Sequence, residues 1–337
     1  MPMTKRLYYF PPRKGGSYGN PYSENYRTAL AARFKLVNIE GAPPIGMSIA
    51  FILSVLRADI YIINWLENIA YFKFGKIQFL LVKLGLWVLR KRRAQIVWMF
   101  HNIHPHGGHN KESKWLHDYM FRHATLIISH SQEAAAYARE RVREVRGSAE
   151  PVPVRYVCHP VHEIAMGEVP VAEPCDVFIW GTIVAYKGVA EFLEEYERHG
   201  STLRVRILGG CEDEALAEAV TKRATGNVTF ERRRASFEEI AAGIRASRYV
   251  LFPYVGSCVS SSGALIDTVV LGGTPVGPSV GAFKDLAEEG VCLTYNTYDD
   301  LFTLLSKDKA IDNAARQRFL HNNSWERLAE VVHTELN

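Results

Sequence analysis

The amino-acid sequence predicts an α/β protein of two doubly wound parallel sheets, and three observations carry the prediction. Short apolar strand-like runs alternate with helix-like stretches from end to end, the pattern of parallel strands covered on both faces. The chain has 337 residues, which at ~150 residues per domain suits two domains, each able to bury its own core. Its composition, 47% hydrophobic and 23% charged, is globular and excludes a disordered chain. Two such units in tandem make two Rossmann-like domains facing a cleft.

In the first half the candidate strands are Arg6–Phe10, Lys35–Ile39, Asp59–Asn64, Gln95–His101, Thr125–Ser129 and Val154–Cys158. Helical patterns lie between them at Ser23–Phe34, Met47–Leu56, Phe72–Arg92, Lys111–Arg122 and Gln132–Arg146. In the second half strands are expected at Asp176–Trp180, Leu203–Leu208, Asn227–Glu231, Tyr249–Phe252, Thr274–Val276 and Val291–Tyr295. Helices there include Val189–Glu197, Glu212–Arg223, Phe237–Arg245 and Ser262–Leu271. The stretch around His159–Pro174 is Pro-punctuated and weakly periodic, which reads as a linker. The expected division is a first domain over 1–160, a linker over 161–175, a second domain over 176–320 and a final helix over 321–337 that can pack back on the first domain.

Charge is unevenly spread. Residues 1–160 hold 23 Lys+Arg against 10 Asp+Glu, and residues 161–337 hold 17 against 26. Such asymmetry points to an anionic partner for the first half. The five cysteines form no C-x-x-C pair, so a disulfide framework and a Cys-rich zinc site are not expected, and a reducing cytosol fits. No apolar signal segment precedes the first strand. Ile45–Leu56 and Ile77–Leu89 fall short of the ~20 apolar residues of a spanning helix, and the first of them reads as a buried helix.

Ligands of doubly wound sheets bind beyond the carboxyl ends of the strands, so those loops hold the candidate sites. Pro11–Tyr22 follows the first strand. Its Gly15, Gly16 and Tyr18 make a flexible substrate loop without a G-x-G-x-x-G fingerprint. HNIHPHGGH, His101–His109, follows the fourth. Its histidines are spaced around Pro and Gly-Gly rather than along one helical face, so His101, His104 and His106 suit hydrogen bonding or proton transfer more than a metal. Gly181–Gly188 places Gly181 and Thr182 after a strand and Lys187 at a helix start, an anion cradle. Ser257–Asp267 brings Ser260, Ser261, Ser262 and Gly263 to another helix start, with donors for phosphate. Asp267, one turn further in, suits ribose hydroxyls.

Taken together, GTIVAYKGVAEFL, VTFERRRASFEEI and FPYVGSCVSSSGALIDTVVLGGTPVG followed by GAFKDLAEEGV resemble the C-terminal half of GT-B glycosyltransferases. In the first half NPY (Asn20–Tyr22), NWLEN (Asn64–Asn68) and FHNIHPH resemble bacterial exopolysaccharide enzymes of the xanthan β-mannosyltransferase type. The resemblance spans nearly the whole chain. It implies a nucleotide-diphosphate sugar donor, no cofactor and no metal. By position it places Lys187 on the donor diphosphate, Ser261–Gly263 on the phosphates and the Phe230, Glu231, Arg232, Arg233 loop on the base. His101 would face the transferred sugar, with Asn20, Tyr22 and Asn102 on the acceptor side. Two features depart from the large retaining group, which carries two glutamates with seven residues between them: those positions are Ser260 and Thr268, with Asp267 next door. The arginine usual after the first glycine of the Lys loop is Thr182.

No Asp or Glu occurs from Asn68 through Lys111, while Lys73, Lys76, Lys83, Arg90, Lys91, Arg92 and Arg93 fall inside, interleaved with Phe72, Phe74, Phe79 and Trp87. A basic amphipathic helix with aromatics suits an anionic bilayer surface. The expected activity is transfer of a sugar from a nucleotide sugar to a lipid-linked (polyprenyl-diphosphate) saccharide, in the cytoplasm at the inner face of the cell membrane. His101 is the first candidate for the base and Glu67 the second. The rivals are an epimerase or phosphorylase of similar architecture, a periplasmic-type binding module, and a basic nucleic-acid-binding protein. No nucleic-acid motif supports the last.

Overall fold

In the first of two units, residues 1–160 with 323–337, six parallel strands form one sheet. They are β1 (Arg6–Phe10), β2 (Lys35–Leu36), β3 (Ile60–Asn64), β4 (Gln95–Phe100), β5 (Leu126–Ser129) and β6 (Val154–Tyr156), in the order β2-β1-β3-β4-β5-β6. The computed structural model describes residues 5–13, 20–38, 46–101, 103, 110–147, 152–256 and 259–337. Continuous apolar sequence marks the inner strands because both faces are covered, and every residue of β3, IYIIN, is buried. The edge strand β2 pairs over only two residues, shorter than the expected Lys35–Ile39.

The helices α1 (Pro21–Ala31), α2 (Met47–Ser54), α3 (Gly75–Lys91), α4 (Lys111–His123) and α5 (Gln132–Arg146) join the strands. Local chemistry sets their starts: Asn20, Asn110 and Ser131 each accept a hydrogen bond from a first-turn N–H. On one face of the sheet Tyr26 and Leu30 of α1 pack with Trp325, Leu328 and Val332 of the last helix, α13 (Trp325–Leu336). On the other, Phe51, Leu86, Trp98, Phe100 and Phe121 form a second core.

Two expectations need correction here. The helix α2 is buried on one face only. Phe51 is fully buried, but Ile49, Leu53 and Leu56 are 40, 58 and 68% exposed. It packs on α3 and nothing described covers its outer side. The approach is close: a Cβ on Gly85 of α3 would stand 2.6 Å from the Phe51 ring. The second correction is that α3 starts at Gly75 rather than Phe72, after a 3-10 turn over Leu66–Tyr71. Trp65 and Phe74, at φ 50° and 59°, turn the chain into these two helices.

The second unit, residues 161–322, repeats the design. Its strands are β7 (Cys175–Trp180), β8 (Val205–Leu208), β9 (Val228–Glu231), β10 (Ser247–Leu251), β11 (Pro275–Pro278) and β12 (Leu293–Tyr295). They are parallel, in the order β12-β11-β10-β7-β8-β9. The helices are α6 (Val189–Arg198), α7 (Glu214–Arg223), α8 (Phe237–Ala246), α9 (Gly263–Val270), α10 (Gly281–Glu288), α11 (Tyr298–Leu305) and α12 (Asn313–Asn322). Asp213 caps α7, and Ser236 with Glu239 closes a capping box on α8. Residues 157–174 carry no regular structure.

Candidate functional site

Strand order reverses at β7 in the second sheet: β8 lies on one side of it and β10 on the other. A crevice opens beyond the carboxyl ends of two such strands, the usual ligand position in open α/β sheets. The chain leaves β7 through Gly181, at φ 95°, and reaches a 3-10 turn, Ala185–Lys187, before Gly188 starts α6 at φ 65°. It leaves β10 through Phe252, Pro253 and Tyr254. The two exits are tied: Val255 N–H donates to the Tyr186 carbonyl at 2.9 Å. A Cβ on Gly188 would stand 2.0 Å from the Pro253 carbonyl oxygen.

Lys187 sits in this crevice. Its ammonium lies 5.9 Å from the centroid of the Tyr254 ring and 3.4 Å from where a Cβ on Gly181 would be. Burial lowers its pKa to about 8. The Tyr254 hydroxyl is 3.4 Å from Ser262 Oγ, and Ser262 caps α9 through the Leu265 N–H. That start presents the first N–H groups of α9, beside Ser261 and the exposed Gly263. One turn on, Asp267 is largely buried. Its Oδ1 has no hydrogen-bond partner among the described residues, His162 Nε2 being 3.8 Å away, and burial lifts the carboxyl to about 7. A cation, unpaired N–H groups and an acceptor short of a donor together suit a diphosphate bearing hydroxyl groups.

Gly209 at the end of β8 fixes the loop from behind. A Cβ there would stand 1.8 Å from the Gly181 carbonyl oxygen, a backbone atom that a rotamer change cannot move. We expect Gly209→Ala to lower stability by ~1–3 kcal/mol through overpacking, read as a lower urea midpoint. An unchanged midpoint would show that the Gly181 loop gives way freely.

In the first sheet the order reverses between β1 and β3, and aromatic and imidazole rings collect at the strand ends. The Tyr22 ring meets Trp65, His101, His130, His159 and Trp325 edge-on, with centroids 4.9–5.5 Å apart. His101 stacks on Trp65 at 4.7 Å. The hydrogen bonds define its tautomer. Asn64 Nδ2 donates to the Phe10 carbonyl, so Asn64 Oδ1 is left to accept from His101 Nε2 at 3.0 Å. His101 Nδ1 therefore carries the lone pair. Burial first, then His130 and His159, hold His101 well below the usual imidazole range, so it is neutral at pH 7. His130 donates from Nδ1 to the Val157 carbonyl and accepts the Tyr22 hydroxyl on Nε2 at 2.6 Å. Glu67, in the 3-10 turn after β3, is buried, and desolvation raises it to about 7.

No protein-family model and no curated protein sequence matches the chain. Solved structures do. HepE of Anabaena in complex with UDP is similar at TM-score 0.67, with 13% identity over 98% of this chain and 99% of that one. Sucrose-phosphate synthase of Thermosynechococcus elongatus is similar at 0.65, with 12% identity over 98% of each chain. AviGT4, a glycosyltransferase involved in avilamycin A biosynthesis, is similar at 0.58, with 14% identity over 98% of this chain and 97% of that one. The fold is GT-B.

Within this GT-B chain the second unit brings Gly181, Lys187, Ser261, Ser262, Gly263 and Asp267 to one region, with Thr182 exposed beside it. The two positions that depart from the retaining group's glutamates lie inside the fold. Ser260 is buried, and Thr268 donates to the Ala264 carbonyl while accepting from Trp180 Nε1. In the β9 loop the charged side chains are paired within the second unit: Glu231 accepts from Arg206 and Arg233, Arg233 also holds Glu239, and Arg232 holds Glu214 and the Cys211 carbonyl. Phe230 packs against the core. Of the acceptor set, Asn20 is spent on capping α1 and the Tyr22 hydroxyl on His130. Gly15, Gly16, Tyr18, Asn102, His104 and His106 lie outside the described residues. Missed in the sequence were Trp65, His130, His159 and Tyr254. The signal for His130 was present, a histidine directly after strand β5 like His101 after β4.

The basic stretch forms a surface. At 100° per residue α3 turns Val82, Leu86 and Leu89 into the core, while Ile77, Leu80, Leu84 and Trp87 form a second apolar stripe on the opposite side, 51–62% exposed. Lys76, Lys83 and Arg90 run along one edge of that stripe. Lys73 lies over the Phe74 ring and Lys91 over Trp87. The Arg92 guanidinium donates to the carbonyls of Val55 and Ala58, closing the end of α2, and Arg92 and Arg93 are both exposed. Among the described residues no helix is long and apolar enough to cross a membrane.

Proposed function

We propose that the protein is a metal-independent glycosyltransferase that moves a sugar from a nucleoside-diphosphate sugar to a polyprenyl-diphosphate-linked saccharide in surface-polysaccharide assembly. The observation that carries this is the Lys187–Tyr254–Ser262 group at the switch point of the second sheet of a GT-B fold. HepE, solved with UDP and glucose, makes a uridine-diphosphate sugar the first donor to try.

When the bond from sugar C1 to the diphosphate oxygen breaks, the electron pair leaves with the phosphate. The Lys187 ammonium and the first N–H groups of α9 meet that charge in a partly desolvated site, where they act more strongly than in water. Asp267 Oδ1 accepts from a ribose hydroxyl. The acceptor hydroxyl attacks C1 and its proton passes to His101 Nδ1, with Asn64 holding the other ring nitrogen. Glu67 is the second reading for the base, favoured by a carboxyl already lifted to about 7, close to the working pH.

The test is release of nucleoside diphosphate from a panel of nucleotide sugars with a polyprenyl-diphosphate-linked acceptor, alongside thermal shifts for each donor. Absence of both release and shift for every donor would overturn the reading. Because Lys187 and N–H groups take the place of a divalent ion, EDTA should leave turnover unchanged. A loss reversed by magnesium or manganese would assign the charge neutralisation to a metal.

The acceptor's lipid places the enzyme at a bilayer, and the double-sided α3 with the outer face of α2 supplies the surface. Basic residues contribute ~1 kcal/mol each near anionic lipid, and the apolar stripe adds a part that salt does not remove. Vesicles with anionic lipid should bind the protein, less so in high salt, and neutral vesicles should bind little. Replacing Arg90, Lys91 and Arg93 with Ser, and sparing Arg92, should lower binding while sparing use of a short water-soluble acceptor. Equal binding by the variant would leave the stripe without a membrane role.

A further inference from the structure

The helices α3 and α4 leave between them a cavity of about 300 Å³ that the transfer reaction does not use. Helix α3 lines it with Lys83, Trp87 and Arg90, and α4 with Trp115, Tyr119 and Arg122. The two sets share one spacing, four residues and then three, so each helix turns a single stripe to the recess.

The walls are rigid aromatic surface. Trp115 and Tyr119 stack with centroids 5.1 Å apart, and the Tyr119 hydroxyl donates to the Leu86 carbonyl of α3 at 2.8 Å. Lys83 Nζ stands 5.1 Å from the Trp115 centroid. The charge is positive and uncompensated. Neither Arg90 nor Arg122 has an acidic partner among the described residues, and the one acid at the recess, Asp118, is taken by Arg141 at 3.2 Å. His123 is held below the usual imidazole range by burial and then by Arg90, Arg146 and Arg122, so it adds no further positive charge at pH 7. Cations with aromatic walls, in a space of this size, fit a small anion joined to an apolar body. Guanidinium groups suit phosphate oxygens in particular.

Trp87 decides the source of that anion. It belongs both to the recess and to the exposed stripe Ile77, Leu80, Leu84 and Trp87, so a molecule with its anion in the recess has its apolar part along the stripe. We propose that the recess between α3 and α4 binds the phosphate of a single anionic phospholipid whose acyl chains lie along α3. This rests on the membrane reading above for where the lipid comes from. It adds a stoichiometric site to what is otherwise a diffuse attraction between surfaces.

The probe is dihexanoyl phosphatidylglycerol below its micelle concentration, which offers no charged surface, titrated into the full chain by calorimetry. Saturable one-to-one binding is expected. Arg122→Gln should weaken it at least about tenfold, a loss of about 1.4 kcal/mol or more. Lys114→Gln, on the same helix but outside the recess, should change it less than about twofold. Arg90→Gln is the second variant if Arg122→Gln unfolds, and it should weaken binding similarly. Dihexanoyl phosphatidylcholine and glycerol phosphate should bind at least about tenfold more weakly than the phosphatidylglycerol. Absence of saturation, equal loss in Lys114→Gln, or equal binding of phosphatidylcholine would overturn the proposal. Equal binding of glycerol phosphate would overturn it too, reassigning the recess to a soluble phosphate ester. Vesicle adsorption without monomer binding would remove the recess and leave the membrane reading standing. Monomer binding without vesicle adsorption would do the reverse.

Discussion

Lys187→Met is expected to cut turnover at least about a hundredfold and, at pH 7, to make the protein more stable. The loss follows from removing the cation that meets the leaving diphosphate, a contribution of ~3 kcal/mol or more for one electrostatic donor. The gain follows from burial. The Lys187 ammonium is held in a site that lowers its pKa from 10.5 to about 8, so the folded state carries a desolvated charge with no acid beside it. Methionine has similar length and no charge, and removing the penalty should add up to ~3 kcal/mol. The pH dependence gives the sign. Between pH 8 and 10.5 the unfolded chain holds the Lys187 proton more tightly than the folded one, so wild-type stability gains from this group as pH rises through that window. The advantage of the variant should therefore be greatest below pH 8 and vanish above 10.5. Urea midpoints at pH 7 and pH 10.5 check it. An inactive variant that is also less stable would mean that Lys187 supports the fold, and a fully active one would remove it from the site.

His101→Asn should lower turnover by two to four orders of magnitude, the range of a lost general base. The pH profile of kcat/KM identifies which group takes the proton. His101 is held neutral well below the usual imidazole range, so as base its own titration adds no acid-side fall near pH 7. A fall on the acid side centred near pH 7, removed in Glu67→Gln, would transfer the role to Glu67. On the alkaline side activity should fall above about pH 8 as free Lys187 loses its proton. The same titration that adds stability removes function, so the two curves should run in opposite directions.

Much of the fold is legible in the residues alone. Among the described residues the twelve strands lie where apolar runs predict them, within a few residues at each end, because a parallel strand covered on both faces has no polar side to disguise it. Helix starts are legible for a different reason: a cap such as Asn110 or Ser131 acts on an N–H only three residues away. Lys187, Ser262 and Asp267 stand out as candidates in the sequence because they lie on the connections leaving β7 and β10 or on the helix that follows, and the carboxyl end of a strand is where such sheets bind. Pairing at a distance is not legible: the partners of the β9 loop charges, Arg206, Glu214 and Glu239, come from other elements, and Arg92 donates to the carbonyls of Val55 and Ala58.

By itself the sequence determined the two-sheet α/β plan, the capped helices and the positions of the strand-to-helix connections. These depend on contacts within a few residues, or on the single question of whether a strand is buried. Only the tertiary structure decided that Tyr22 is bonded to His130, that Trp325 returns to pack on Tyr22, that His101 Nε2 is tied to Asn64, and that α3 is apolar on two sides. Periodicity records that a face is apolar but not whether another element covers it. A hydrogen bond between residues 108 positions apart leaves no local trace, because its energy belongs to a geometry that exists only once the sheet has formed.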